Sequence, residues 1–574
     1  MPLFPGNFMT PVLEIIKNKI SRELRLEKAV FSYPPNQSLG DLSLACFEIA
    51  KNNNQNPVAW AESSAQSLKR QKRLKKYLSD VKAVGPYLNF YINQDYLAHK
   101  VISAVRSSGK NYGFNGSGRG RKIVLEYSNG NTHKEYHIGH LRNISYGSAV
   151  TRLLKACSYN AIPVSYINDF GIHTAKTIWN WQRNKNYQES SEEKGYLLGT
   201  CYSEASRLLD EKPELKEEVL EIMKAIESRQ GDAYHLWETT RSWSIKYFES
   251  IYKELNIRFN HIFYENEYIN EGLKLVTHLL EKGILTKSEG AIIANLEKYD
   301  LGILPVIRTG GTALYPVADL ALMAEKNRRY HPRESIYIVD VRQGLYFKQL
   351  AKLAELIGYK NEIRHLGYDF VTLPDGMMSS RSGNVITYRE LRDKVFEKLF
   401  EETSRRHPDW TRSRVRQVAW SLMISTIKFE MLKVGADKTI VFNIEESLRF
   451  DGYTACYLQY GYVRLKSLIR KEPLKFLFHR TDYQCLTEEK EKALLIKLAR
   501  YPEIIRLSGD KYNPSELTKY LFELVQMFND YYHEVNILKA EPKIKKVRLA
   551  LARAISQVLN NGFNILGLQV IEEM

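Results

Sequence analysis

Lys122-Ile123-Val124-Leu125-Glu126-Tyr127-Ser128-Asn129-Gly130-Asn131-Thr132-His133-Lys134-Glu135-Tyr136-His137-Ile138-Gly139-His140 is the stretch whose reading decides the fold. It opens as a short apolar strand and closes where a helix begins, with Leu141, Ile144, Ser148 and Leu153 on one face. Residues 162–167 and 335–341 read as further strands, and strands alternating with helices imply a parallel sheet. The three strands end in polar residues: Glu126, then Asn168-Asp169, then Asp340 with Gln343 just beyond. Open parallel sheets bind ligands at their carboxyl ends, so three such ends suggest one site. Each alone is also what a strand shows where it meets solvent.

Two imidazoles, His137 and His140, stand at the mouth of the helix. Orphan N–H groups and the helix dipole favour anions there, so the pair suits a phosphate. Gly139 removes a side chain and lets a flat base approach the backbone. Lys134 can reach the same phosphates. A metal pair is the competing reading, but zinc-binding histidines on a helix are usually four apart, and these are three apart.

Composition bounds the rest. The chain of 574 residues exceeds what one core usually holds, roughly 250–300 residues, so several domains are expected. Lys and Arg number 83 against 66 Asp and Glu, a net charge of +17. That excess favours a polyanionic partner, although solvated basic faces give the same count. Cys46, Cys157, Cys201, Cys456 and Cys485 are scattered and form no CxxC pair. This speaks against disulfides or a zinc site and for a reducing, cytoplasmic compartment. No apolar run is long enough to span a membrane, and no signal peptide is evident; residues 11–28 read as a first helix.

Residues 1–110 read as a small α+β unit with Gly40-Asp41 before a helix and an alternating strand at 87–92. A Gly-rich linker follows at 113–120. Residues 111–393 carry the strand–helix alternation, interrupted by a charged helical insertion at about 180–300. Residues 394–574 read as helical throughout. One apolar stripe holds Leu517, Tyr520, Leu521, Leu524, Val525, Phe528, Tyr531 and Tyr532; a second runs from Val547 to Leu559 and stops at Asn561-Gly562.

His137-Ile138-Gly139-His140 after the first strand of such a sheet resembles the HIGH motif of class I aminoacyl-tRNA synthetases. Glu126-x4-Asn131-x2-Lys134-x2-His137-x-Gly139-His140 resembles the form found in arginyl-tRNA synthetases. Gly452-x-Thr454-x-x-Tyr457-Leu458-Gln459-Tyr460 is similar to the opening of that family's anticodon-binding bundle. Gly40-Asp41 and Val84-Gly85-Pro86-Tyr87-Leu88-Asn89 resemble its N-terminal domain. The likeness runs nearly the whole chain.

The resemblance implies a multidomain α/β protein. Residues 1–110 would be an N-terminal α+β domain touching the tRNA elbow. Residues 111–393 would be a class I Rossmann-like catalytic core, and 394–574 an all-α anticodon-binding bundle. The implied reaction activates L-arginine with ATP, Mg2+ accompanying it, and transfers it to the 2′-hydroxyl of the terminal adenosine of tRNA(Arg). Adenylate formation would need bound tRNA. Zinc, a membrane and any subunit beyond a monomer are not called for.

Site roles follow from the same likeness. Lys134, His137, His140 and Arg381 would be catalytic, with Gly139, Met378, Ser379 and Ser380 also at ATP. The arginine guanidinium is a planar fork that matches carboxylates. Tyr315-Pro316-Val317-Ala318-Asp319 fits it, since Pro316 suits a helix start and Tyr315 and Asp319 can face one way. Glu126 would add a second carboxylate, and Asn129, Gly130, Asn131, His140 and Gln343 would hold the rest of the amino acid. Tyr453, Tyr457, Gln459, Tyr460 and Arg464 would meet tRNA, with roughly half of the bundle's tyrosines expected in the core.

Some positions depart from the family pattern. In Met377-Met378-Ser379-Ser380-Arg381-Ser382-Gly383-Asn384, which resembles the KMSKS loop, Met377 and Ser380 stand where lysines are usual. Lys134 is placed to supply the missing charge. Tyr346 replaces a usual histidine, Cys456 and Gly130 usual prolines. The alternative reading is a non-catalytic tRNA-binding protein derived from a synthetase. Its mark would be loss of His137, His140, Asp319 or Lys134, and none is lost.

Overall fold

The computed structural model describes residues 9–374, 386–472 and 482–574. Its centre is a five-stranded, all-parallel sheet in the spatial order Glu362–Tyr368, Glu334–Asp340, Lys122–Glu126, Asn160–Ile167, His261–Tyr264. In chain order the strands run first, second and third toward one edge, then fourth and fifth toward the other. The topological switch point therefore lies between Lys122–Glu126 and Glu334–Asp340. The apolar run at 123–125 is buried on both faces, as a central parallel strand requires.

Helix Ile138–Ala156 crosses from the first strand to the second and lies almost wholly buried. Gly147 permits that closeness: a Cβ there would fall 2.2 Å from the Tyr127 ring. Asn143, on the same helix, spans the switch point. The ladder between the two central strands ends at Tyr337–Glu126. Beyond it, Ser128 N–H donates to Asn143 Oδ1 (2.5 Å) while Asn143 Nδ2 donates to the Ile338 carbonyl (2.7 Å).

The expected insertion differs in content. Its helices are Ile172–Arg183, Lys185–Glu189, Lys194–Glu211, Lys216–Glu227 and Gly231–Glu254. His261–Tyr264 then returns to the parallel sheet as an edge strand, and a three-stranded antiparallel sheet covers Thr286–Ser288, Ala291–Asn295 and Ile303–Ile307. These strands are too short and too charged at their flanks for alternation to show. The strand Glu362–Tyr368 is hidden by its polarity, with Arg364 and His365 side by side at its centre.

The N-terminal unit is a four-stranded antiparallel sheet with helices Val12–Glu23, Pro57–Arg70 and Gln94–Ser108. Gly40-Asp41 precedes a strand, Leu42–Ala45, rather than a helix. Gly40 has φ +117°, and Asp41 is fixed by two partners: it accepts from Ile92 N–H (2.6 Å) and pairs with Lys492 (2.7 Å). Lys492 belongs to helix Glu489–Asp510 of the C-terminal bundle, which also receives Lys17 on Glu503 (2.6 Å).

That bundle comprises Tyr388–Arg406, Arg412–Leu432, Ala455–Arg470, Glu489–Asp510, Ser515–Glu534 and Pro542–Leu566. Asn561-Gly562 does not stop the last helix, which runs on to a left-handed cap at Gly567. Gly562 serves packing instead, since a Cβ there would lie 2.5 Å from Leu521. Tyr532 leaves the expected stripe and is 37% exposed. Among the described residues no helix is long and apolar enough to cross a membrane.

Gly147→Ala should cost roughly 1–3 kcal/mol of stability, because helix or strand must move to admit one methyl. A chemical-denaturation midpoint followed by a catalytic-domain probe measures it. An unchanged midpoint would contradict the packing described.

Candidate active site

Of the three polar strand ends, two are tied to arginines and the third pairs with a buried lysine. Asp169 is fully buried and spent on Arg241 (2.5 Å) and on Asn266 N–H (2.9 Å). Asp340 accepts from the Arg342 backbone and guanidinium at 2.8–2.9 Å. Both carboxylates hold chain, not ligand. Glu126, 4% exposed, forms an ion pair with buried Lys326 of helix Tyr315–Tyr330, and Asn129 Nδ2 donates to its other oxygen at 3.5 Å.

The loop after the strand is held in a costly shape. Ser128 and His133 both have φ of 63°, a left-handed conformation disfavoured for side-chain-bearing residues. Side chains of helix Gly231–Glu254 hold it there. Tyr252 Oη accepts from Ser128 Oγ (3.0 Å), Ser244 Oγ accepts from His133 N–H (2.9 Å), and the His133 ring lies between Thr132 and Thr240. Burial, helped by Arg241, pushes His133 down to about 3, so it stays neutral. Thr132 N–H donates to the Asn168 carbonyl and Asn168 N–H to that of Gly130, so Asn131 lies beside the second strand. Gly130 packs under Phe248, which a Cβ would approach to 3.0 Å. Lys134 is partly exposed, its Nζ 4.8 Å from the centre of the Tyr202 ring.

His137 is the N-cap of the signature helix. Its Nδ1 accepts from Gly139 N–H (3.1 Å), and His140 Nδ1 accepts from His137 N–H (3.1 Å). With Nδ1 accepting in both rings, each proton sits on Nε2. Burial, then the Lys134 charge, lowers His137 to about 4; burial, His137 and Lys134 take His140 well below the usual range. The arrangement is therefore two neutral imidazoles, their centres 3.9 Å apart and their planes tilted by 38°, each with an Nε2–H to donate. This sharpens the sequence reading: two of the backbone donors expected for an anion are used by the rings. Gly139 makes room for His137, whose ring a Cβ would meet at 2.9 Å.

The helix Tyr315–Tyr330 starts at Tyr315 with Pro316 in its first turn. Tyr315 is 66% exposed at the mouth, and Asp319 lies a turn inward, accepting a hydrogen bond from Tyr346 Oη. Burial pushes Asp319 up to about 6, against the opposing Tyr346 hydrogen bond, with Glu126 adding to the rise and Lys326 offsetting it. Gln343 is exposed at the start of helix Gly344–Ile357. Arg381, Met378, Ser379 and Ser380 lie outside the described residues.

In the bundle, Tyr460 is exposed and Arg464 donates to its Oη (3.1 Å) and to Asn529 (2.7 Å). Arg464 lies between the Tyr460 and Tyr532 rings, 4.8 and 5.3 Å from their centres, beside a cavity of about 180 Å³. Tyr457 and Tyr453 are partly buried and hydrogen-bonded to Asn529 and Thr518. Gln459 is fully buried, donating to the Gln569 carbonyl (2.6 Å), because its helix face points into the bundle. It fastens the C-terminal segment and cannot reach a partner.

Sequence reasoning missed Lys326, Tyr202 and Asn143, and also Tyr166 and Glu265, which interact with each other and with Asp319. Lys326 had a legible signal: it follows Asp319 by seven residues, two turns along one helical face. Tyr202 had none, since only the fold brings it to Lys134.

The sheet order, the capped His-x-Gly-His turn and the acidic pocket at the switch point define a class I aminoacyl-tRNA synthetase. Residues 101–444 match the family described as tRNA synthetases class I (R), catalytic domain; 11–92 match the arginyl tRNA synthetase N terminal domain, and 458–574 the DALR anticodon binding domain. The chain thus belongs to the arginyl-tRNA synthetase family. It is 32% identical to an arginine–tRNA ligase of Bdellovibrio bacteriovorus over 94% of this chain and 93% of that protein. Another from Halothermothrix orenii is 31% identical over 99% and 100%. In fold it resembles Thermus thermophilus arginyl-tRNA synthetase, with TM-score 0.81, 22% identity and 98% and 99% of the two chains covered.

Selective 15N labelling of histidine should show His137 and His140 as Nε2–H tautomers, neutral from pH 8 down to 5. His137, lowered to about 4, would charge only below that. A ring of either residue titrating near pH 6.5 would contradict the caps.

Proposed function

We propose that this chain ligates L-arginine to tRNA(Arg) at the pocket between Glu126 and Asp319, through an arginyl-adenylate. The observations that carry the reading are the neighbouring Glu126 and Asp319 carboxylates and the two neutral Nε2–H donors that head the signature helix near Lys134. The arginine carboxylate attacks the ATP α-phosphate in line; the new P–O bond forms as the bond to pyrophosphate breaks. The terminal 2′-hydroxyl of tRNA then attacks the arginyl carbonyl, and AMP leaves. No side chain needs to act as a nucleophile, so positioning and charge carry the catalysis.

His137 and His140 donate to phosphate oxygens, and Lys134 supplies the positive charge, with Arg381 as a second cation. Mg2+ arrives with ATP: the donors here are imidazole N–H groups and an ammonium, so the phosphates themselves hold the ion. Asp319 and Glu126 take the guanidinium, Tyr315 covers it, and Asn129, Gly130, Asn131, His140 and Gln343 surround the amino-acid end.

Residues 1–110 serve the tRNA elbow, 111–393 catalysis and 394–574 the anticodon. The exposed Tyr460 and Tyr532 rings, with the Arg464 guanidinium between them, offer faces for a stacked base and a cation for a neighbouring phosphate. A cytoplasmic monomer is the form proposed; five unpaired cysteines, four of them buried, suit a reducing compartment.

ATP–pyrophosphate exchange with arginine should appear when cognate tRNA is present, and its absence there would sink the enzyme reading. Lys134→Ala should lower kcat about a hundredfold, as loss of a charge that stabilises the transition state does. Undiminished turnover would show that Met377 needs no compensation from Lys134. For tRNA, Tyr460→Ala and Arg464→Ala should each raise KM about five- to a hundredfold without changing KM for arginine. Gln459→Ala should instead lower the melting temperature and leave the tRNA KM alone.

A further inference from the structure

Lys326 is a buried cation that the reaction does not use. It sits 2% exposed on the helix that carries Asp319 and pairs with a Glu126 that is itself 4% exposed. Aromatic walls confine the ammonium: Nζ is 4.6 Å from the centre of the Tyr337 ring, 5.9 Å from that of Phe263 and 3.4 Å from Tyr337 Oη. Burial works against its charge, but the Glu126 carboxylate, with Tyr337 and more distant Asp319, overrides that and keeps it protonated.

We infer that Lys326 is the positioning residue of the amino-acid pocket, a built-in counter-ion that holds the Glu126 carboxylate turned so that one oxygen remains for the substrate guanidinium. The inference rests on the arginine-pocket reading above. Glu126 Oε2 is committed to Lys326, and Oε1 faces the loosely held Asn129 amide at 3.5 Å. Glu126 is therefore not the free second carboxylate that the sequence suggested.

The charge count follows. Glu126 and Asp319 carry two negative charges and Lys326 one positive, while burial pushes nearby Glu265 up to about 8 and keeps it neutral, which leaves a single net negative charge for a single guanidinium. Without Lys326, two carboxylates would share one buried site, and such pairs hold a proton in place of one charge. A protonated Glu126 would present a hydroxyl where the substrate needs an acceptor. The seven-residue spacing places Asp319 and Lys326 about 10 Å apart along the helix axis, so one element sets both the ligand carboxylate and the partner of the other.

Steady-state kinetics of tRNA-dependent arginine activation test this with four variants. Glu126→Gln should raise KM for arginine about tenfold or more. Lys326→Met should raise it comparably, with kcat and KM for ATP within about twofold of the parent. Glu126→Gln/Lys326→Met should be no worse than Glu126→Gln alone, since coupled neighbours are non-additive. Lys326→Arg should restore KM. If Lys326→Met proves unstable, the double variant, which leaves no unpaired buried charge, still reports the coupling. An unaffected KM in Glu126→Gln would overturn the pocket reading itself. A raised KM in Glu126→Gln with none in Lys326→Met, or additive effects in the double variant, would overturn the role of Lys326 alone.

Discussion

The structure depends on what happens where the two central strands part. Parallel strands share their hydrogen bonds evenly until one must turn into a helix and the other cannot follow. Here the ladder stops at Tyr337–Glu126, leaving the Ser128 N–H and the Ile338 carbonyl without each other. An unpaired backbone group in a buried place costs about 1–3 kcal/mol. The single side chain of Asn143 meets both, donating to one and accepting from the other. It thereby fixes the distance between the strand ends and the start of the signature helix, and with it the width of the crevice in which the pocket lies.

Around that crevice the chain uses the same groups for folding and for chemistry. The two imidazoles of the signature close the helix N-terminus through Nδ1, and this sets the tautomer that leaves Nε2–H free for phosphate. The strained Ser128 and His133 conformations persist because helix Gly231–Glu254 pins them. The insertion is thus part of the active site's frame, and through Tyr202 it also reaches Lys134. At the other end of the molecule, Asp41 binds the N-terminal sheet to the bundle through Lys492, so the two outer domains are joined to each other as well as to the core.

Much of this was legible in the sequence, for identifiable reasons. Buried parallel strands such as 122–126 are apolar on both faces, and the helix that follows shows its period at once. The capped His-x-Gly-His turn is local, so its residues are adjacent in the chain. Asp319 could be placed because Pro316 announces a helix start. Illegible features had no local cause. His261–Tyr264 and Glu362–Tyr368 are edge strands whose polarity blurs the pattern. Gly562 looked like a stop because glycine usually ends helices, whereas here close contact with Leu521 demands it inside one. Gln459 stands in a motif among tyrosines, yet its neighbours Tyr460 and Leu458 point in different directions around the helix.

The sequence by itself determined the class of fold, the family and the identities of the groups available to ATP and to a guanidinium, because these follow from residue type and short spacing. Only the tertiary structure decided what each charge is free to do. Asp169 and Asp340 are consumed by arginines, Glu126 gives one oxygen to Lys326, and Asp319 receives the Tyr346 hydroxyl. Partners such as Glu126 and Lys326 lie 200 residues apart in the chain. Whether a buried carboxylate is a ligand or a strut depends on which opposite charge the fold brings within reach, and no spacing along the chain encodes that distance.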